Sequence, residues 1–373
     1  MKVGLTLFGD LLSEDGARFA VQAGASAVVI HLTRYANRAD PASYLAGGVG
    51  PILGDCSDET PWTFDDMAAV VAMLRRHGLA VAALENFSPA FWHAVLLDGP
   101  ERARQMEGLK RLVRDAGRAG IPVLGYNFSL AGVWGWRRRP LARGGAMTVE
   151  FDEAAFDAAE PIPDGMVWNM RYRPGRPDVP PISVGDDELW QRLARFLEDL
   201  VPVAAEAGVT LAAHPDDPPA DALRGTARLV NRAAKYGRLL GLVDSPANGL
   251  EFCLGSLQEM PGTDIYETTR HYVATGRVAY IHFRNVSGRV PRYHETFVDD
   301  GDIDLAEIVR ILRDADYDGV LVPDHSPEMT CPSPWHAGNA YALGYMRALI
   351  GNADALGPQG TPRHYPQGRA AMA

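Results

Sequence analysis

Cysteine is scarce in this chain. Its three residues, Cys56, Cys253 and Cys331, lie far apart in 373. So sparse and odd a set argues against a disulfide framework and fits a reducing compartment, so a cytoplasmic location is expected. No apolar run is long enough for a transmembrane helix, and no membrane partner is expected. The opening MKVGLTLFGD turns polar too soon for a secretory leader. A basic excess is also missing: 36 Lys and Arg face 47 Asp and Glu, a formal net charge of −11. Without a basic stripe to neutralise phosphates, a nucleic-acid partner is not expected. The same acidity repels anions at long range, so an acidic substrate would need local cations or a metal. No internal repeat at a solenoid period is visible.

What is present is a regular alternation. Strand-like runs fall at 3–8, 27–32, 80–86, 122–128, 209–215, 248–255, 278–285 and 320–326. Helical patterns follow at 12–24, 64–78, 101–120, 186–208, 231–243, 265–276, 304–319 and 339–351. The 231–243 segment has a competing strand reading at 239–243; the helix, capped by Asn231, is preferred because 248–255 then supplies the sixth strand. Eight strands, each followed by a helix, predict an α/β fold of the (β/α)8 TIM barrel type, one catalytic domain over 1–356. Such a barrel needs about 250 residues. The surplus sits in insertions at about 33–62 and 129–185, after strands 2 and 4, on the side where active sites form. Residues 357–373, rich in Gly, Pro, Arg and Ala, read as a C-terminal tail.

The strand ends carry the chemistry. Residues 212–219 read AAHPDDPP: a buried strand runs into His214, and three prolines stiffen the exit. That pattern serves a histidine held in one place or, equally, a plain strand-end turn. The ends of strands 5, 6, 7 and 8 deliver His214, Cys253, His282 and Asp324 to one face. Imidazole, thiolate and carboxylate are all ligands for a divalent transition ion. Any one of the four has a bland explanation, whereas the coincidence across four strands does not. Arg284 is two residues beyond His282 and shares its face, suited to a substrate carboxylate or to a structural ion pair. His325 follows Asp324 as a catalytic or supporting imidazole. His294 and Glu295 lie in the loop after strand 7. The glycine-rich 47–54 lacks phosphate-loop spacing, and GVWGWRRRP (132–140) mixes aromatics with arginines in an insertion.

With those residues laid out, the chain resembles the mannonate dehydratase family of the xylose-isomerase-like barrels. The resemblance runs in order through YNF (126–128), HPDDPP (214–219), DSPANGLEFCLGS (244–256), IHFRN (281–285), HE (294–295), PDH (323–325) and AY (340–341). It implies a metal site of His214, Cys253, His282 and Asp324, with His325 and Tyr341 as the catalytic pair. Asn127, Asp216, Arg284, His294 and Glu295 are the substrate-binding candidates. It further implies dehydration of an aldonic acid, D-mannonate to 2-keto-3-deoxy-D-gluconate, with Mn²⁺, or Fe²⁺ next. The partner is then a small sugar acid, and the insertions offer surfaces for a homo-oligomer. Ser326 and Val322 depart from the glycine and arginine usual around PDH. The proline-rich loop 326–338 would set Tyr341, at the start of the last helix, over the site. Two rivals are a metal-dependent sugar isomerase or epimerase, against which Cys253 argues, and a non-catalytic sugar-acid-binding barrel, against which the intact residue set argues.

Overall fold

Short apolar runs bounded by turns form eight parallel strands in this computed structural model, which describes residues 1–31 and 54–355. They are β1 (Lys2–Leu7), β2 (Ala27–His31), β3 (Ala80–Glu85), β4 (Val123–Tyr126), β5 (Thr210–Ala213), β6 (Asn248–Cys253), β7 (Val278–His282) and β8 (Val320–Val322). Each pairs with the next in sequence, and β8 closes on β1. The chain is therefore a (β/α)8 barrel. Its connections are α1 (Glu14–Ala23), α2 (Phe64–Arg76), α3 (Pro89–Leu97), α4 (Arg102–Ala119), α5 (Asp186–Ala207), α6 (Lys235–Leu242), α7 (Leu254–Glu259), α8 (Ile265–Ala274), α9 (Leu305–Asp314) and α10 (Pro334–Ala355).

Local chemistry sets these boundaries. Thr63 and Asp66 form a reciprocal capping box at α2, and Asp304 accepts the Ala306 and Glu307 amides at α9. Two elements differ from the sequence reading. Asn231 caps nothing: its amide donates to the Ala220 carbonyl, and α6 begins at Lys235. The last helix begins at Pro334, whose fixed φ suits a first turn, so Tyr341 falls about two turns inside it. Among the described residues no helix is long and apolar enough to cross a membrane. Most of the insertion after β2, the glycine-rich stretch through 53 and the tail 357–373 lie outside the described residues.

Above the strand ends lies a roof that the sequence did not announce. It is a four-stranded antiparallel sheet built from two hairpins, Trp136–Ala142 with Ala146–Asp152 and Asn285–Arg289 with Arg292–Thr296. Residues 146–152 and 292–296 join the hairpins, with Tyr293 opposite Phe151 and His294 opposite Glu150. Two buried arginines pin the long insertion after β4. Arg224 stacks 3.9 Å over Trp134 and donates to the Glu160 and Pro161 carbonyls. Arg228 donates to Ser129 Oγ at 2.6 Å and to the Gly132 carbonyl at 2.8 Å.

Candidate active site

The two-residue period of a strand builds the site in layers. Val29, Ala83, Val123, Ala212, Tyr280 and Val322 form an apolar cluster inside the barrel. Two residues further along the same strands come His31, Glu85, Gly125, His214, His282 and Asp324. The strand β6 adds Glu251 and Cys253, and the register sets Cys253 beside His282. Apolar packing thus gives way to titratable side chains at the C-terminal mouth, where barrel chemistry resides.

Ligand atoms of His214, Cys253 and His282 all lie within 4.8 Å of one another. Asp324 Oδ2 is 3.1 Å from His282 Nδ1, and Asp324 adopts a left-handed φ of 57°. Among the described residues neither nitrogen of His282 makes an aligned hydrogen bond, although the residue is buried. Such atoms carry a desolvation cost unless something else binds them. His214 Nδ1 donates to the Pro215 carbonyl at 2.6 Å, which fixes the ring and leaves Nε2 for a ligand. Of the two readings of AAHPDDPP, the held histidine matches this geometry. Burial alone would raise the Cys253 thiol, but Arg284, His214 and His282 outweigh it and hold the group well below its ordinary value. Nitrogen, sulfur and oxygen donors together suit a first-row divalent ion.

Beneath this set, Glu85, Glu251 and His282 form a second close group. His282 Nε2 is 3.4 Å from Glu85 and 3.3 Å from Glu251. Burial and the neighbouring Glu85 push Glu251 well above the usual carboxylate range. Against the cost of its own burial, His31 and His282 hold Glu85 down at about 2. Gly125 makes room for the pair: a Cβ there would sit 2.4 Å from Glu251 Oε2 and 2.5 Å from the Tyr280 hydroxyl.

Arg284 is the hub of the layer above. Its guanidinium pairs with Asp217 and with Glu259 at 2.9 Å, and lies 3.4 Å from Glu295 and 3.5 Å from Asp324. It also donates to Ser256 Oγ at 3.0 Å. Arg284 thus makes the buried ion pair that was one of the alternatives the sequence left open, and it also lines the pocket. His325 Nδ1 donates to Glu295 Oε1 at 2.6 Å, and its ring meets Trp136 edge-on at 5.4 Å. These groups open on a pocket lined among others by Asn127, Trp136, His214, His282, Asp324 and His325.

Of the predicted catalytic and substrate-binding residues, Asp216, His294, Glu295 and Tyr341 do not line this pocket. Asp216 turns away, accepting the Val230 amide at 2.8 Å and pairing with Arg228 at 3.1 Å; its neighbour Asp217 lines the pocket instead. His294 sits on the opposite face of the roof from Tyr293 and Glu295, because strand side chains alternate. Tyr341 is 36% exposed, packs on Phe297, and accepts from Arg143 at 3.5 Å. Asn127 does line the pocket, its amide donating to the Pro215 carbonyl at 3.1 Å. The sequence reading missed His31, Glu85, Asn86, Trp168 and Asp217. Applying the strand-end criterion to strands 2 and 3 would have found the first three.

Comparison with known proteins gives a consistent picture. A family model for D-mannonate dehydratase (UxuA) matches residues 44–355. A mannonate dehydratase of Geobacillus thermodenitrificans is 30% identical over 286 residues, 71% of this chain and 75% of that protein. One from Thermotoga maritima is 30% identical over 300 residues, covering 74% of this chain and 81% of its own length. The crystal structure of mannonate dehydratase from Streptococcus suis serotype 2 superposes with a TM-score of 0.72 at 25% identity, covering 100% of this chain and 99% of the other. A structure of L-ribulose 3-epimerase shares the fold, with a TM-score of 0.57 at 16% identity, over 98% of this chain and 99% of the other.

Proposed function

The chain belongs to the D-mannonate dehydratase family, and from that premise we propose that this hydro-lyase removes water from D-mannonate to give 2-keto-3-deoxy-D-gluconate. One observation carries the reading: three adjacent strands bring His214, Cys253 and His282 within 4.8 Å of one another, and the two histidines line the pocket that His325 also lines. These three, with Asp324, would hold the divalent ion, Mn²⁺ by family and Fe²⁺ next. When bound, the ion supplies Lewis acidity to the substrate carboxylate and 2-hydroxyl, where charge develops as the C2 proton leaves. His325 exchanges a proton with the substrate through Nε2, since Nδ1 is committed to Glu295. Trp136 and Trp168 wall the pocket against water, and Asn86 and Asn127 offer amides to hydroxyl groups. The family resemblance gives Tyr341 the second proton transfer. In this structure Tyr341 lies outside the pocket wall, packed on Phe297. Three unpaired cysteines support a cytoplasmic setting.

The decisive experiment assays metal-loaded protein against a panel of aldonic acids for 2-keto acid formation. Turnover of aldoses alone would replace the hydro-lyase with an isomerase, and binding without turnover would leave a sugar-acid-binding barrel. Chelation is expected to abolish activity and Mn²⁺ to restore it. The affinity for Mn²⁺ should also depend on pH. Burial lowers the His214 pKa, but Cys253 and Glu251 more than offset this and push it up to about 9. An ion must displace that proton and also the one on His282, whose pKa burial lowers but Asp324, Glu85 and Glu251 push well up, whereas Cys253 is held well below its ordinary value. Apparent affinity should therefore rise with pH from neutrality towards 9, by about tenfold per unit for each proton displaced. Calorimetric titration checks this, and a pH-independent affinity would overturn the assignment of protonated histidines to the ligand set.

A further inference from the structure

The roof sheet does more than cover the pocket. On the strand Arg292–Thr296, Tyr293 and Glu295 share the face turned towards the barrel. The Tyr293 hydroxyl donates to Asp217 Oδ1 at 2.7 Å and accepts from Trp136 Nε1 at 3.1 Å. One residue pair along, Glu295 receives His325 Nδ1 at 2.6 Å. Its position is fixed from behind: the Glu295 carbonyl accepts from Thr148 Oγ1 at 3.0 Å, its backbone pairs with Val286, and its carboxylate lies 3.4 Å from Arg284. Glu295 is only 2% exposed and is absent from the pocket wall that His325 forms.

From this geometry we infer that Glu295 is the positioning residue of His325: the roof, not the barrel, supplies the carboxylate that holds the imidazole with Nε2 towards substrate. This rests on the reading of His325 as a proton-transferring group, and it gives Glu295 a role other than substrate contact. An imidazole anchored at one nitrogen keeps a single ring orientation and presents the other nitrogen consistently. Trp136, edge-on to the same ring, blocks the alternative tilt. The Tyr293–Asp217 bond holds the strand down beside it.

Three substitutions test the inference. Glu295→Leu removes the acceptor and is expected to lower kcat by about 10–100-fold, the usual scale for loss of an orienting partner, with KM and metal content unchanged. Glu295→Gln keeps an acceptor oxygen at the same reach and should recover part of the loss. Glu295→Asp, one methylene short, should recover less. A second readout is independent of turnover: ¹⁵N NMR of the zinc-loaded protein should show a strongly hydrogen-bonded Nδ1–H on His325, lost in Glu295→Leu. A raised KM at unchanged kcat would make Glu295 a substrate contact and overturn the inference. Lower thermal stability with normal kcat and an unchanged His325 spectrum would make it only a partner of Arg284, also overturning it. Should Glu295→Leu not fold, the Gln and Asp variants carry the test, and an Asp variant more active than Gln would show that charge rather than reach matters. If the wild type dehydrates no aldonate, the hydro-lyase reading fails, whereas the NMR result still decides how His325 is held.

Discussion

A His325→Asn protein is expected to bind its metal and substrate much as the wild type does, yet to turn over about 10²–10⁴-fold more slowly. The ring is not among the three side chains that converge within 4.8 Å, and its Nε2 stands 3.7 Å from Asp324 Oδ1. Asparagine fills similar space but cannot exchange a proton near neutral pH. Metal analysis separates loss of chemistry from loss of the ion, and steady-state kinetics separates kcat from KM. Unchanged turnover would move the proton transfer to another group. The companion Tyr341→Phe bears on the second transfer. A fall of similar size would assign Tyr341 the second transfer. Turnover like the wild type would leave Tyr341 as the surface neighbour of Arg143 and Phe297.

The second large effect concerns stability. Arg284→Met should destabilise the fold by at least about 3–5 kcal/mol, the cost of stripping one partner from a buried ion pair. Asp217, Glu259, Glu295 and Asp324 surround Arg284, and Glu259 is fully buried. Methionine matches the length but leaves those carboxylates facing one another. Arg284→Lys should rescue only in part, because a single ammonium cannot span Glu259 and Asp217 as the guanidinium fork does. The pH dependence has a definite sign. In the wild type burial would raise the Asp217 carboxyl, but Arg284 and Tyr293 bring it below its ordinary value. That contribution is present above the unfolded pKa and is lost as pH falls. Without Arg284 the buried carboxyls rise above their unfolded values, so the penalty appears as pH rises. Denaturant unfolding should find the variant closest to wild type in mild acid and furthest from it above neutrality. A uniform deficit at all pH values would point to lost packing instead.

The barrel was legible because its strands are short apolar runs and its helices amphipathic, both set by local sequence. All eight strands lie within a few residues of their expected positions. The roof was not legible. Trp136–Ala142 reads WRRRPLA, polar and broken by proline, and the sheet it edges is completed only by a hairpin that follows β7. The helix Pro89–Leu97 was missed because its residues are apolar nearly all round, which leaves no periodicity to detect. In the site, alternation along a strand correctly linked His282 to Arg284. It gave nothing after His214, where the chain leaves the strand and Asp217, not Asp216, faces inward. The exposure of Tyr341 follows from where α10 starts, which a proline at a first turn hides from a reading that treats proline as loop.

The roof also sets the order in which the protein can become active during synthesis. Its two hairpins come from segments on either side of β5 and β6, and one of them is emitted only after β7. A growing chain that has released β4 and the first hairpin still lacks the second, and with it the carboxylate that holds His325. Contacts between segments so distant in sequence form late, after loop closure has been met elsewhere. A nascent or C-terminally truncated chain should therefore be able to collect the barrel's early strands without possessing a reactive pocket.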